Sequence, residues 1–116
     1  MSMHDIIQSF IATYGQGKLE TLKLLIAYIK ERNSKFGKNS MCATYEGLRK
    51  WMTYKKVRRR FTTVERDIRK LAELGNSEDK VLYRKFWQGR KNVIFCLNPE
   101  HPVVRYLLDK VETNSF

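Results

Sequence analysis

The sequence predicts an α+β chain that is mostly helical, and three observations predict it. Apolar residues recur at spacings of three and four in five stretches of the 116-residue chain. Two runs rich in β-branched and aromatic residues follow each other over 81–97, joined by a glycine-bearing link. No internal repeat or low-complexity tract interrupts the pattern, so residues 1–116 read as one domain with one core.

Ile6, Ile7, Phe10, Ile11 and Tyr14 mark one face of a first helix, which Gly15 and Gly17 end. A second helix runs from about Lys18 to Asn33 on the stripe Leu19, Leu22, Leu25, Ile26 and Ile29. Asn33-Ser34 and Gly37 break that pattern, and residues 34–43 read as a polar loop. Thr44 is a good N-cap for a short third helix over 44–53, whose Leu48, Trp51 and Met52 face the core. The next stretch, Lys55-Lys56-Val57-Arg58-Arg59-Arg60, puts five positive charges in six positions. Their repulsion predicts a turn or a frayed helix end, within a link spanning about 54–61.

Thr62, followed three residues later by Glu65, reads as a capping box. Val64, Ile68, Leu71 and Ala72 form one face of the helix it opens, and Gly75 stands where a C-terminal glycine belongs, so this helix is placed at 63–74. A polar connector over 76–80 leads to strands at 81–86 and 92–97, a hairpin whose link is Trp87-Gln88-Gly89-Arg90-Lys91. Asn98-Pro99 stops the second strand. A last helix starts near Pro102 with Val104, Leu107, Leu108 and Val111 on its apolar face.

Charge is the strongest functional signal. The chain carries 23 basic and 12 acidic residues, a net +11, which points to a polyanionic partner. Residues 49–70 hold ten Lys or Arg against two acids, and residues 81–91 hold four Lys or Arg and no acid. Basicity therefore belongs to two short regions. The acids read as scattered over helix surfaces.

Other classes find little support. No stretch approaches the roughly 20 apolar residues that cross a bilayer, and the first residues lack a basic region followed by an apolar run. Cys42 and Cys96, 54 positions apart, do not read as a disulfide framework, which favours an intracellular, cytoplasmic location. With His4 and His101 they show no metal-ligand spacing. Neither a Gly-rich phosphate loop nor a nucleophile motif is present, so the expectation is a non-enzyme with no catalytic residues, no cofactor, no metal and no small-molecule substrate.

Helix, helix, capped helix and hairpin follow in order, and the stretch Phe61-Thr62-Thr63-Val64-Glu65-Arg66-Asp67-Ile68-Arg69-Lys70-Leu71-Ala72-Glu73-Leu74-Gly75 resembles the recognition helix of winged helix-turn-helix regulators. The resemblance covers about residues 18–97, leaving 1–17 as an N-terminal helix and link and 98–116 as a C-terminal helix. It implies a two-stranded wing and a double-stranded DNA partner. Thr62, Thr63, Arg66, Arg69 and Lys70 would then face the major groove, with Arg66 as the base-contacting guanidinium. Lys55, Lys56, Arg58, Arg59 and Arg60 would stand near phosphates at that helix's start. Arg90 and Lys91 at the hairpin tip, with Arg84 and Lys85 on its strand, would meet the flanking backbone or minor groove, although the strand pair also suits edge protection. The long link at 54–61 and the connector at 76–80 depart from the family pattern. The small size and Lys-, Tyr- and Ile-rich make-up also resemble small regulators of archaeal viruses and plasmids, whose compartment is the host cell.

The terminal helices lie outside the minimal resemblance. Their stripes bury either on their own domain or in a homodimer, since many such regulators are two-fold dimers. Structured RNA and a protein-interaction or replication-initiation role are the alternatives to a duplex-reading transcription regulator.

Overall fold

The longest helix, α2 (Gln16–Phe36), organises the chain in the computed structural model, which describes residues 2–73, 80–86 and 93–111. Its expected stripe of Leu19, Leu22, Leu25, Ile26 and Ile29 is buried, and so are Thr21, Leu24 and Ala27. A helix buried on nearly every side needs neighbours on nearly every side. Helices α1 (Met3–Tyr14) and α5 (Pro102–Lys110) pack on it and on each other, while α3 (Tyr45–Lys55) and α4 (Phe61–Glu73) cover the remainder. Gly15 alone separates α1 from α2. Its φ of 97° lies where only glycine sits without strain, and its N–H closes α1 on the Ile11 carbonyl at 2.8 Å.

The terminal helices set part of their stripes in the core and pack Ile6, Ile7, Ile11, Tyr14 and Leu108 against it partly buried. Phe10, Val103, Val104 and Leu107 are in the core. Lys30, which the sequence places off its helix's apolar stripe, extends its Nζ to the Leu108 and Val111 carbonyls at 2.7 and 2.9 Å. A cation there satisfies the free carbonyls at the end of α5. Among the described residues, no helix is long and apolar enough to cross a membrane.

The sheet differs from the expected two-stranded hairpin. Among the described residues it has three antiparallel strands in the order β1-β3-β2, with β1 (Cys42–Thr44), β2 (Leu82–Phe86) and β3 (Val93–Leu97). β1 begins inside the stretch read as a polar loop, because three residues are too few to show a period of two. Arg32 at the end of α2 draws this stretch back, donating to the Ser40 and Cys42 carbonyls at 2.8 and 2.5 Å. Asn33 adds a bond to Ser40 O at 2.9 Å.

The cysteine reading is also corrected. β1 sets Cys42 opposite Cys96 on β3, and the two form a disulfide. Spacing along the chain hid the pair, since the partners meet only through the strand that the sequence did not reveal. The disulfide withdraws the cysteine argument for an intracellular location.

Helix α3 starts as expected, with the Thr44 hydroxyl accepting from the Gly47 N–H at 3.0 Å. A methyl group at Gly47 would come within 2.5 Å of the Tyr28 hydroxyl, so glycine lets the two helices approach. The helix runs to Lys55, two residues beyond the expected end. Lys56 then takes a left-handed conformation (φ 55°, ψ 46°), and the Val57 N–H reaches back to the Met52 carbonyl at 3.0 Å. The charged link is therefore a turn of 56–60, shorter than the 54–61 expected.

The capping box does not form. Helix α4 begins at Phe61, and the Arg60 carbonyl receives its first bonds, from the Thr63 and Val64 N–H groups at 3.1 Å. Thr62 sits inside the first turn, and the Glu65 carboxylate lies 3.7 Å from Arg69. The Phe61 ring meets Tyr45 edge-on at 6.2 Å, which brings α4's start earlier than the polar pattern implied. The end assigned to Gly75, the connector from 76 to 79 and the hairpin turn from 87 to 92 lie outside the described residues.

Candidate nucleic-acid interface

Helix α4 is strongly two-faced. Val64, Ile68 and Leu71 are fully buried. On the other side Thr62, Arg66, Arg69 and Lys70 are exposed, and they stack at spacings of three and four along one arc. Thr63 is half-buried at its edge. All the expected α4 residues but Thr63 therefore stand on one outward surface.

One of the three acids on this helix does not follow the expected surface scatter. Asp67 is only 5% exposed. Its Oδ2 accepts from the Thr21 hydroxyl of α2 at 2.6 Å and from Arg59 Nη2 at 2.9 Å. Arg59 Nη2 also donates to the Gly17 carbonyl at 2.9 Å. The helix thus turns its buried charge inward, where a hydroxyl and a guanidinium compensate it. Its outward arc keeps the basic groups.

The basic turn divides in the same way. Lys55 is held 2.8 Å from Glu31, with its side chain 23% exposed. Glu31 also accepts a short hydrogen bond from the Trp51 indole N–H. Trp51, expected in the core, is half-buried and uses its polar edge there. Burial pushes the Glu31 carboxyl up. The hydrogen bonds from Lys55 and Trp51, with the charges of Lys55 and Lys35, outweigh that and hold it below its ordinary value. Val57 packs against the core and Arg59 is tied to Asp67. Lys56, Arg58 and Arg60 are exposed. Of the five expected cations, Lys55 and Arg59 are structural, while Lys56, Arg58 and Arg60 stand outward just before the exposed arc of α4.

The strand cations diverge, since neighbours on a strand face opposite ways. Arg84 stands opposite Phe95 and is half-buried on the side toward α4. Lys85 is exposed on the reverse face. Arg90, Lys91 and Trp87 lie outside the described residues.

Sequence reasoning missed a cleft. The start of α3, the flank of α4 and strands β2 and β3 enclose about 390 Å³, with Arg49, Arg69 and Arg84 on its walls beside Glu46 and Glu65. Arg49 Nη2 lies 3.0 Å from Glu46 and Arg69 Nη2 3.7 Å from Glu65. Tyr45 packs between the Phe61 and Phe95 rings. Burial pushes the Tyr45 hydroxyl up, with the Arg84 charge pulling the other way. The Glu46–Arg49 and Glu65–Arg69 pairs stand at the i,i+3 and i,i+4 spacings of ordinary surface helix pairs, which gave no signal of a cleft. Among the described residues, no group of three or more His, Cys, Asp or Glu side chains stands together as a metal site.

No family model, curated relative or solved structure matches the chain.

Proposed function

We propose that the chain binds double-stranded DNA as a winged helix-turn-helix protein and acts as a transcription regulator. The observation that carries this reading is the sorting of charge on and before α4. Asp67 and Arg59 are turned in and neutralise each other, while Arg66, Arg69, Lys70, Lys56, Arg58 and Arg60 stand outward. A helix entering a major groove needs one face on the core and the other offering donors to base edges and phosphates. The order α2, β1, α3, α4, β2, β3 also agrees with the resemblance, with β1 as the third strand of the sheet that carries the wing.

In this reading Arg66 contacts a base, Thr62 and the exposed cations of the turn meet phosphates, and β2 and β3 form the wing. Helices α1 and α5 complete the core behind α2. Replacing Arg66 with alanine tests the base contact in a site-selection experiment. A bidentate contact to guanine predicts a loss of about 1–3 kcal/mol at the preferred site and relaxed choice at one position. An unchanged sequence preference contradicts the assignment.

A further inference from the structure

The cleft beside α3 lies next to the outward face of α4, and two of its lining residues, Tyr45 and Phe61, pack against the core. We infer that it is a seat for one phosphate group, gripped by Arg49, Arg69 and Arg84. The inference deepens the duplex reading and rests on it for the source of the phosphate, a DNA strand.

Three guanidinium groups reach this concavity from three separate elements, α3, α4 and β2. Like charges gathered in one concavity repel each other until an anion is shared among them. Two carboxylates supply that now. Glu46 and Glu65 hold Arg49 and Arg69 by pairs within one helix, and all four side chains are between 36% and 55% exposed. Exposed pairs of this kind are weak, whereas a phosphate accepts two parallel N–H bonds from one guanidinium. The carboxylates therefore keep the arginines in place until a stronger anion displaces them.

Two more features fit a phosphate. The first turn of α3 opens at Thr44 and Tyr45 on the cleft wall, where backbone N–H groups and the helix dipole favour an anion. The Tyr45 hydroxyl is buried on the same wall beside the Arg84 guanidinium, with its O–H a donor for a phosphate oxygen. Arg69 belongs both to the cleft and to the outward arc of α4. A strand lying along that arc would carry a phosphate directly into the seat.

The test compares wild-type protein with Arg49→Gln and Glu65→Gln, using Arg105→Gln on α5 as a remote control. Anisotropy of a labelled duplex is followed over salt, with thermal unfolding as a folding check. Arg49→Gln should weaken binding about three- to tenfold and lower the log–log salt slope by about one, and Arg105→Gln should leave the slope unchanged. Glu65→Gln should tighten binding several-fold. An unaltered slope in Arg49→Gln, with Arg66→Ala still impaired, overturns the seat and leaves the duplex reading standing. A second arm titrates inorganic phosphate and follows the backbone amides of Tyr45, Glu46 and Arg49 by NMR. Shifts that vanish in Arg49→Gln, in a protein that binds no duplex, uphold the seat and assign it to a free phosphate compound. Silence in both arms overturns it.

Discussion

The Arg59 guanidinium lies 2.9 Å from the Asp67 carboxylate, and the same carboxylate oxygen takes the Thr21 hydroxyl at 2.6 Å. One buried acid thereby ties the basic turn, α4 and α2 together. Asp67 flanks the buried stripe of Val64, Ile68 and Leu71 that seats α4 on the core, and Arg66 faces away from that stripe. The interface depends on a contact that is not itself part of it.

Asp67→Ala should therefore destabilise the fold by about 2–3 kcal/mol, since it strands a buried hydroxyl and a partly buried guanidinium. Asp67→Asn, which keeps an acceptor, should cost less. Urea unfolding measures both, and a loss below about 0.5 kcal/mol in the alanine variant contradicts the role given to this acid.

Lys56 carries two consequences of opposite sign. As a non-glycine residue at φ 55° it is strained, while its ammonium stands on the proposed interface. Lys56→Gly should raise stability by about 0.5–1 kcal/mol, the left-handed penalty less the extra freedom of glycine in the unfolded chain. The same variant should bind duplex DNA more weakly. Stability and binding moving in the same direction would refute this account of the residue.

The Cys42–Cys96 disulfide closes a long loop, with 54 positions between its ends. By chain entropy the cross-link should stabilise the fold by about 4 kcal/mol, and reduction should lower the unfolding midpoint accordingly. Calorimetry with and without a dithiol reductant checks this, and equal midpoints would show that the cross-link contributes nothing.

Glu31 makes the turn sensitive to acid. Its carboxyl is held below the ordinary value of 4.5, so the unfolded chain takes up this proton more readily than the folded one. The stabilisation is complete above pH 4.5 and is lost as pH falls through the lower, folded value. For a pair this exposed it stays below about 1 kcal/mol. The unfolding midpoint of wild type should fall more steeply below pH 4.5 than that of Glu31→Gln. Parallel curves contradict the coupling to Lys55 and Trp51.

Helical spacing in residues such as Leu22, Ile26, Val64 and Ile68 revealed the helices, and the β-branched and aromatic runs near 81–97 revealed β2 and β3. β1 stayed hidden, since three residues carry no period and their pairing depends on Arg32 bending the chain back to β3. With β1 went the disulfide. Thr62 and Glu65 gave a false start for α4, because Phe61 packing on Tyr45 decides where that helix begins. On the interface, the sequence showed that cations cluster between 49 and 70. It did not show which are free, since Lys55 and Arg59 differ from Arg58 and Arg60 only through partners 24 and 8 residues away, Glu31 and Asp67. Arg49 joined the cleft through tertiary packing that spacing does not encode.

The most direct test of the central claim is the anisotropy of a labelled duplex titrated with the protein across a salt series, with matched RNA as competitor. Binding through the exposed cations of 56–70 predicts an affinity that falls with salt at a slope of roughly −4 to −5, and that RNA does not displace. Absence of binding at low salt, or equal displacement by RNA, would contradict a duplex-DNA interface on α4.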